Sequence, residues 1–102
     1  MKIGKLVRLT MPEILTSEKI SDLDVYKLTT TDYSKMIFDM NFPVLKLVDE
    51  KKSLKENRMV GNYTRYYAFP YFYMGKQYLI SSEWYDRNQE SYIKWLKRKV
   101  IK

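Results

Sequence analysis

At 102 residues, 45% apolar and 30% charged, the chain has the size and composition of one globular domain with a single modest core. It contains neither cysteine nor histidine, which excludes disulfides and thiolate chemistry and removes the commonest general base and the commonest metal ligand. The formal charge of +7 is uneven, with 8 Lys/Arg against 3 Asp/Glu in residues 63–102 but 11 against 9 in residues 1–62.

No apolar run approaches the roughly 20 residues needed to cross a bilayer. Lys2, Lys5 and Arg8 interrupt the apolar stretch that a signal peptide would need, so a cytoplasmic protein without membrane attachment is expected. Thr10-Met11-Pro12-Glu13 has the marks of a helix start: a capping threonine, a glutamate three residues on, and a proline suited to the first turn. Thr16-Ser17-Glu18 offers a second cap, for a helix running through Ile20 and Leu23. A third helix is predicted to begin at Thr29 to Thr31, with Asp32 in the first turn, where the helix dipole favours negative charge. Its apolar stripe would be Tyr33, Met36, Ile37 and Met40, and it would stop at Asn41 ahead of Pro43. Residues 11–41 therefore read as a cluster of two or three short helices.

Residues 44–48 form a short apolar run, a strand or one further helical turn, and periodicity cannot decide at that length. Residues 49–62 read as an exposed polar loop. Residues 65–81 read as a β-hairpin rich in aromatic rings, with Met74 and Gly75 as a two-residue turn. That turn pairs Tyr73 with Lys76, Tyr71 with Tyr78 and Phe69 with Ile80. Pro70 cannot donate to a ladder, which makes its strand an edge or puts a bulge there. Ser81 or Ser82 is expected to cap a final helix over residues 82–101, acidic near its start and carrying Lys97, Arg98 and Lys99 near its end. Trp84, Tyr85, Tyr92, Ile93, Trp95, Leu96 and Val100 share one half of its helical wheel.

The expected fold is a small single α+β domain: an N-terminal short-helix cluster, an aromatic hairpin and a C-terminal amphipathic helix. A winged-helix arrangement is the favoured version. In that arrangement the third helix would enter a DNA major groove, with Thr29, Thr30, Ser34 and Lys35 as candidate base or phosphate contacts. Tyr73, Lys76 and Gln77 at the hairpin tip would reach the adjacent backbone or minor groove, and Lys94, Lys97, Arg98 and Lys99 would add phosphate attraction from the last helix. Arg65 and Lys76 would stand among the tyrosines of a single-strand stacking surface. Asp32 and Asp39 on the proposed recognition helix count against it. Most of the tyrosines are expected in or near the core, with Tyr63, Tyr73 and one of Tyr66 and Tyr67 left exposed as possible stacking platforms. The favoured function is non-catalytic nucleic-acid binding, most simply to double-stranded DNA. The alternative is a small protein-interaction module, an adaptor or inhibitor of a nucleic-acid enzyme that meets an acidic protein surface. No metal, cofactor or catalysis is expected: the Glu50-Lys51-Lys52 run lies in polar sequence, and no glycine-rich phosphate loop is present.

Overall fold

Apolar side chains at three- and four-residue spacing set the first helix of the computed structural model, which describes residues 2–17 and 20–100. Ile3, Val7, Met11, Ile14 and Leu15 are all buried along one side of α1 (Ile3–Thr16). The helix begins eight residues before the start that Thr10 and Pro12 suggested. Pro12 sits inside it, half-buried, where its missing N–H leaves the Arg8 carbonyl without a helical donor. Thr10 is not a cap: its hydroxyl bonds back to the Leu6 carbonyl and lies 2.7 Å from the Tyr92 hydroxyl.

Ser21, rather than Thr16 or Ser17, caps α2 (Asp22–Leu28), in a reciprocal box with Asp24. Glu18, which the sequence placed in the earlier cap, lies outside the described residues, as does Ile101 at the end of the predicted last helix. Helix α3 (Thr31–Phe38) starts as expected, capped by Thr30, but it ends at Asp39 in a left-handed conformation with φ 57°. Its buried side is Ser34 and Phe38; Met36, expected in the apolar stripe, is 73% exposed.

Residues 44–48 resolve as a strand, β1 (Leu45–Leu47). Residues 49–62, expected as a loop, are exposed for the most part but ordered by a buried asparagine. Asn57 accepts from the Asp49 N–H at 2.7 Å and donates to the Asp49, Lys52 and Ser53 carbonyls. Ser53 and Glu56 box the start of α4 (Leu54–Arg58), and β2 (Met59–Val60) and β3 (Tyr63–Thr64) follow as a small ribbon.

The aromatic hairpin forms around Met74 and Gly75, both at positive φ, as a two-residue turn of this hand requires. Strands β4 (Tyr71–Tyr73) and β5 (Lys76–Ile80) pair Tyr71 with Tyr78 and Tyr73 with Lys76. The ladder does not continue to Phe69 and Ile80. The next bridge joins Tyr66 to Ser81, so five residue steps on one strand lie opposite three on the other. Pro70 falls in the excess and has no N–H to offer, and Phe69 leaves the sheet. Strand β5 is central, flanked by β1 and β4.

Ser81 and Ser82 do not cap the last helix. Ser81 is buried, accepting from the Glu83 N–H through its hydroxyl and from the Trp84 indole through its carbonyl. A 3₁₀ turn (Asp86–Asn88) then leads into α5 (Gln89–Val100). Helix α1 packs on β4, and α5 lies against α1 and α3. Between them Phe38, Trp84, Tyr92 and Trp95 form an edge-to-face and tilted ring cluster with centroids 5.2–6.1 Å apart. Full burial of a Phe side chain is worth about 1.5–3 kcal/mol, and the larger Trp and Tyr rings remove still more area from water, so the four rings add substantially to the aliphatic core around them. The α+β class is as the sequence predicts. The hairpin tip, which a wing would hold clear of the helices, is anchored: the Tyr73 hydroxyl donates to Asp22 of α2 at 2.7 Å. No helix among the described residues is long and apolar enough to cross a membrane.

Candidate nucleic-acid interface

The four residues expected to read a groove from α3 are largely committed to the fold. Thr29 and Thr30 donate their hydroxyls to the Tyr26 and Lys27 carbonyls, and Thr30 also accepts from the Tyr33 N–H. Ser34 has no exposed surface, and its hydroxyl accepts from the Val44 N–H at 3.1 Å. It holds α3 to the start of β1 and cannot face a ligand. Lys35 is exposed but lies 3.4 Å from Asp39 and donates to the side-chain Oδ1 of Asn41 at 3.1 Å.

The remaining expected residues divide. Arg65 is half-buried, paired with Glu83, and its guanidinium lies 5.0 Å from the Phe42 ring centre and 4.8 Å from that of Tyr63. Lys99 is paired with Asp24 at 2.8 Å and ties α5 to α2. Burial raises the Asp24 pKa, but hydrogen bonds from Lys99 and Ser21 outweigh it and hold the carboxyl below its usual range. The Tyr73 hydroxyl, expected at the hairpin tip, is pushed up to about 12 chiefly by its hydrogen bond to Asp22. Lys76, Lys97 and Arg98 are exposed, Gln77 is half-buried, and Lys94 is exposed beside Glu90 at 3.2 Å. Lys76, Lys97 and Arg98 have no carboxylate partner among the described residues.

A different surface brings cations and rings together. Arg58 ends α4, whose position the Asn57 bonds fix, and its Nε donates to the Tyr66 carbonyl at 3.0 Å. Tyr67 is held by its N–H to the Ile80 carbonyl, and its ring lies across α1. Gly4 makes room for it, since a Cβ there would stand 2.9 Å from the Tyr67 hydroxyl. One turn further along α1, the Arg8 guanidinium sits 5.1 Å from the Tyr67 ring centre. Phe69, expelled from the ladder, completes the wall. The result is a groove of about 470 Å³ between α1 and residues 67–71, lined by Arg8, Arg58, Tyr67, Phe69, Tyr71 and Ile80.

Its electrostatics are one-sided. No aspartate or glutamate lines it, and among the described residues neither Arg8 nor Arg58 has a carboxylate partner. Burial raises the Tyr67 pKa; Arg8 opposes that shift and Glu83, itself paired with Arg65, reinforces it. Lys2 and Lys5 continue the positive charge along α1 toward its first turn, where they share a second shallow groove with Arg8, Trp84 and Asp86.

No protein-family model, curated protein or solved structure matches the chain. The site therefore rests on its own chemistry. Its lining supplies charge and ring faces, and among the described residues no group of three or more acidic side chains is placed to hold a metal ion. Sequence reading missed Arg8 and Arg58 because they are 50 positions apart. The signal that was available was Pro70, which marks where the strand must depart from its ladder.

Proposed function

We propose that the protein binds nucleic acid without catalysing a reaction on it, and that it does so in the cytoplasm. The observation that carries this reading is positive charge along α1 and across its groove that forms no salt bridge among the described residues: Lys2, Lys5 and Arg8 at three-residue intervals, with Arg58 opposite. Lys2 to Arg8 covers about 9 Å of helix axis, a length over which several phosphates of one strand are within reach. Exposed cations without partners gain most from a polyanion, because binding releases its condensed counterions and costs no existing ion pair. Lys97 and Arg98 on α5 support phosphate contact in the same way. Helix α3 supports the reading least, since its hydroxyls are already bonded within the fold.

The test is fluorescence anisotropy with labelled duplex and single-stranded oligonucleotides of random sequence, titrated across about 50 to 200 mM salt. Micromolar binding that weakens steeply with salt is expected. Absence of binding at the lowest salt would overturn the proposal.

One observation favours a second reading, a protein-interaction module. Leu23, Tyr26, Leu47 and Met74 are exposed on α2, β1 and the hairpin tip, and the last three border one groove of about 560 Å³. Under this reading Leu47→Lys would abolish a defined complex while leaving oligonucleotide binding intact, and loss of both together would count against it.

A further inference from the structure

Phe69 is 69% exposed, although it stands in the most aromatic part of the chain and beside a core that buries rings of its kind. Its ring centre is 5.4 Å from that of Tyr71, with 45° between the planes, so two rings form an angled wall rather than a closed stack. Arg8 and Arg58 share the same groove, and no carboxylate does. Two guanidiniums converging without a counter-charge are stabilised by an anion, and an exposed aromatic face by a flat apolar partner. A nucleotide supplies both in one molecule. In a duplex the base faces are already stacked on one another and cannot reach a ring seated in a groove. An unpaired strand can offer one.

Resting on the nucleic-acid reading and sharpening it, we infer that the groove between α1 and residues 67–71 takes an unstacked base of a single strand. The base lies on Phe69 and Tyr71, and the flanking phosphates lie on Arg8 and Arg58. The groove volume of about 470 Å³ suits one base with part of its sugar. Recognition by ring faces and charge is indifferent to base identity, so the strand is read by shape and not by sequence.

The experiment compares a fluorescein-labelled 20-mer of thymidine with a random duplex of equal length, using wild type, Phe69→Ala, Arg8→Gln and, as a control, Phe72→Ala. Phe72 is comparably exposed, at 62%, but does not line the groove. The single strand should bind at least about ten-fold tighter than the duplex. Phe69→Ala should weaken single-strand binding by roughly 5- to 100-fold, the range one lost base–ring stack produces, while leaving duplex binding unchanged. Arg8→Gln should flatten the slope of log affinity against log salt by about 0.7. Phe72→Ala should bind as wild type. Both Phe69 and Arg8 are exposed, so circular dichroism should show all variants folded. Equal binding of strand and duplex, with no response to Phe69→Ala, would overturn the inference and leave the nucleic-acid reading standing. Displacement of the 20-mer by poly-glutamate at equal charge would also overturn it, by showing that charge alone is recognised. Failure of both oligonucleotides to bind would remove the reading and the inference together.

Discussion

Asn88→Ala tests how the C-terminal helix is fastened to the rest of the domain. Asn88 is 1% exposed. Its Oδ1 accepts from the Tyr85 N–H at 2.8 Å, and its Nδ2 donates to the Phe38 carbonyl at 2.7 Å and, more weakly, to that of Asp39 at 3.4 Å. One side chain thus closes the 3₁₀ turn and satisfies the last carbonyl of α3. Alanine leaves the buried Phe38 carbonyl unpaired, at about 1–3 kcal/mol, and removes the better solvated Tyr85 bond, at about 0.5–1 kcal/mol. The expected loss is about 2–4 kcal/mol from a total of roughly 5–15 kcal/mol for a chain of this length, or a fall in Tm of at least about 8 °C. Urea unfolding followed by tryptophan fluorescence suits the site, because the Trp84 and Trp95 rings lie 5.8 and 5.7 Å from Phe38. Asn88→Asp keeps the acceptor for Tyr85 but sets a carboxylate against two carbonyls. It should be at least as unstable at neutral pH and regain stability as the pH falls and the carboxyl protonates. A loss below about 0.5 kcal/mol for Asn88→Ala, with an unchanged urea slope, would refute the reasoning.

Burial pushes Tyr66 and Tyr92 up to about 12, the Tyr92 shift being partly opposed by its bond to Thr10. Both are raised above the unfolded value near 10, so their contribution is whole below pH 10 and is lost as pH rises toward 12, because the unfolded chain ionises first. Unfolding free energies from urea titrations between about pH 9 and 11.5 should fall by up to about 1.4 kcal/mol per pH unit for each group, and Tyr92→Phe should make that fall shallower. Met74 is 77% exposed and holds φ 51° in the hairpin turn, so Met74→Asn should stabilise by about 1 kcal/mol; thermal unfolding of the pair would show it. Pro12→Ala restores the donor missing from the middle of α1 and should stabilise by about 1–3 kcal/mol. A neutral or destabilising result in the same melt would place Pro12 at a helix start after all.

The parts of this fold that were legible in the sequence are those decided by neighbours a few positions away. Met74-Gly75 between runs of β-forming residues set the turn and the pairing of Tyr71, Phe72 and Tyr73 with Tyr78, Gln77 and Lys76, and all three pairs are present. The spacing of Tyr92, Trp95 and the terminal lysines marked α5, though not its start, because Ser81 and Ser82 look like caps while Ser81 is needed inside the sheet. Helix α1 was misplaced because Pro12 after Thr10 is a strong local start signal, and the burial of Ile3, Val7 and Met11 outweighs it only once the sheet is there to pack on. Nothing in the local sequence singles out Asn57 or Asn88. What makes them structural is the convergence of carbonyls from other segments, which leaves no trace in local composition. Ser34 was read as a ligand contact for the same reason: its buried partner, Val44, is ten residues away.

The groove and the fold share one cause. Had the β4–β5 ladder run on without a break, Phe69 would face Ile80, which is buried, and its ring would share that burial beside Tyr71 and Tyr78. Full burial of such a side chain is worth about 1.5–3 kcal/mol, and the chain forgoes most of it because Pro70 cannot carry the ladder and two extra residues must go somewhere. Free energy not gained on folding remains available for binding, since a flat ligand laid on Phe69 removes the same apolar surface from water. Arg8 and Arg58 stand in the same relation to charge: among the described residues neither has a carboxylate partner, so no ion pair is lost when an anion arrives. The exposed ring and the two arginines therefore act together only if one ligand brings a planar face and a negative charge within one groove's width. That coupling predicts a non-additive Phe69→Ala, Arg8→Gln double variant, weaker in its combined effect than the product of the two single losses. Strictly multiplicative losses would mean that ring and charge contribute to binding independently, without that coupling.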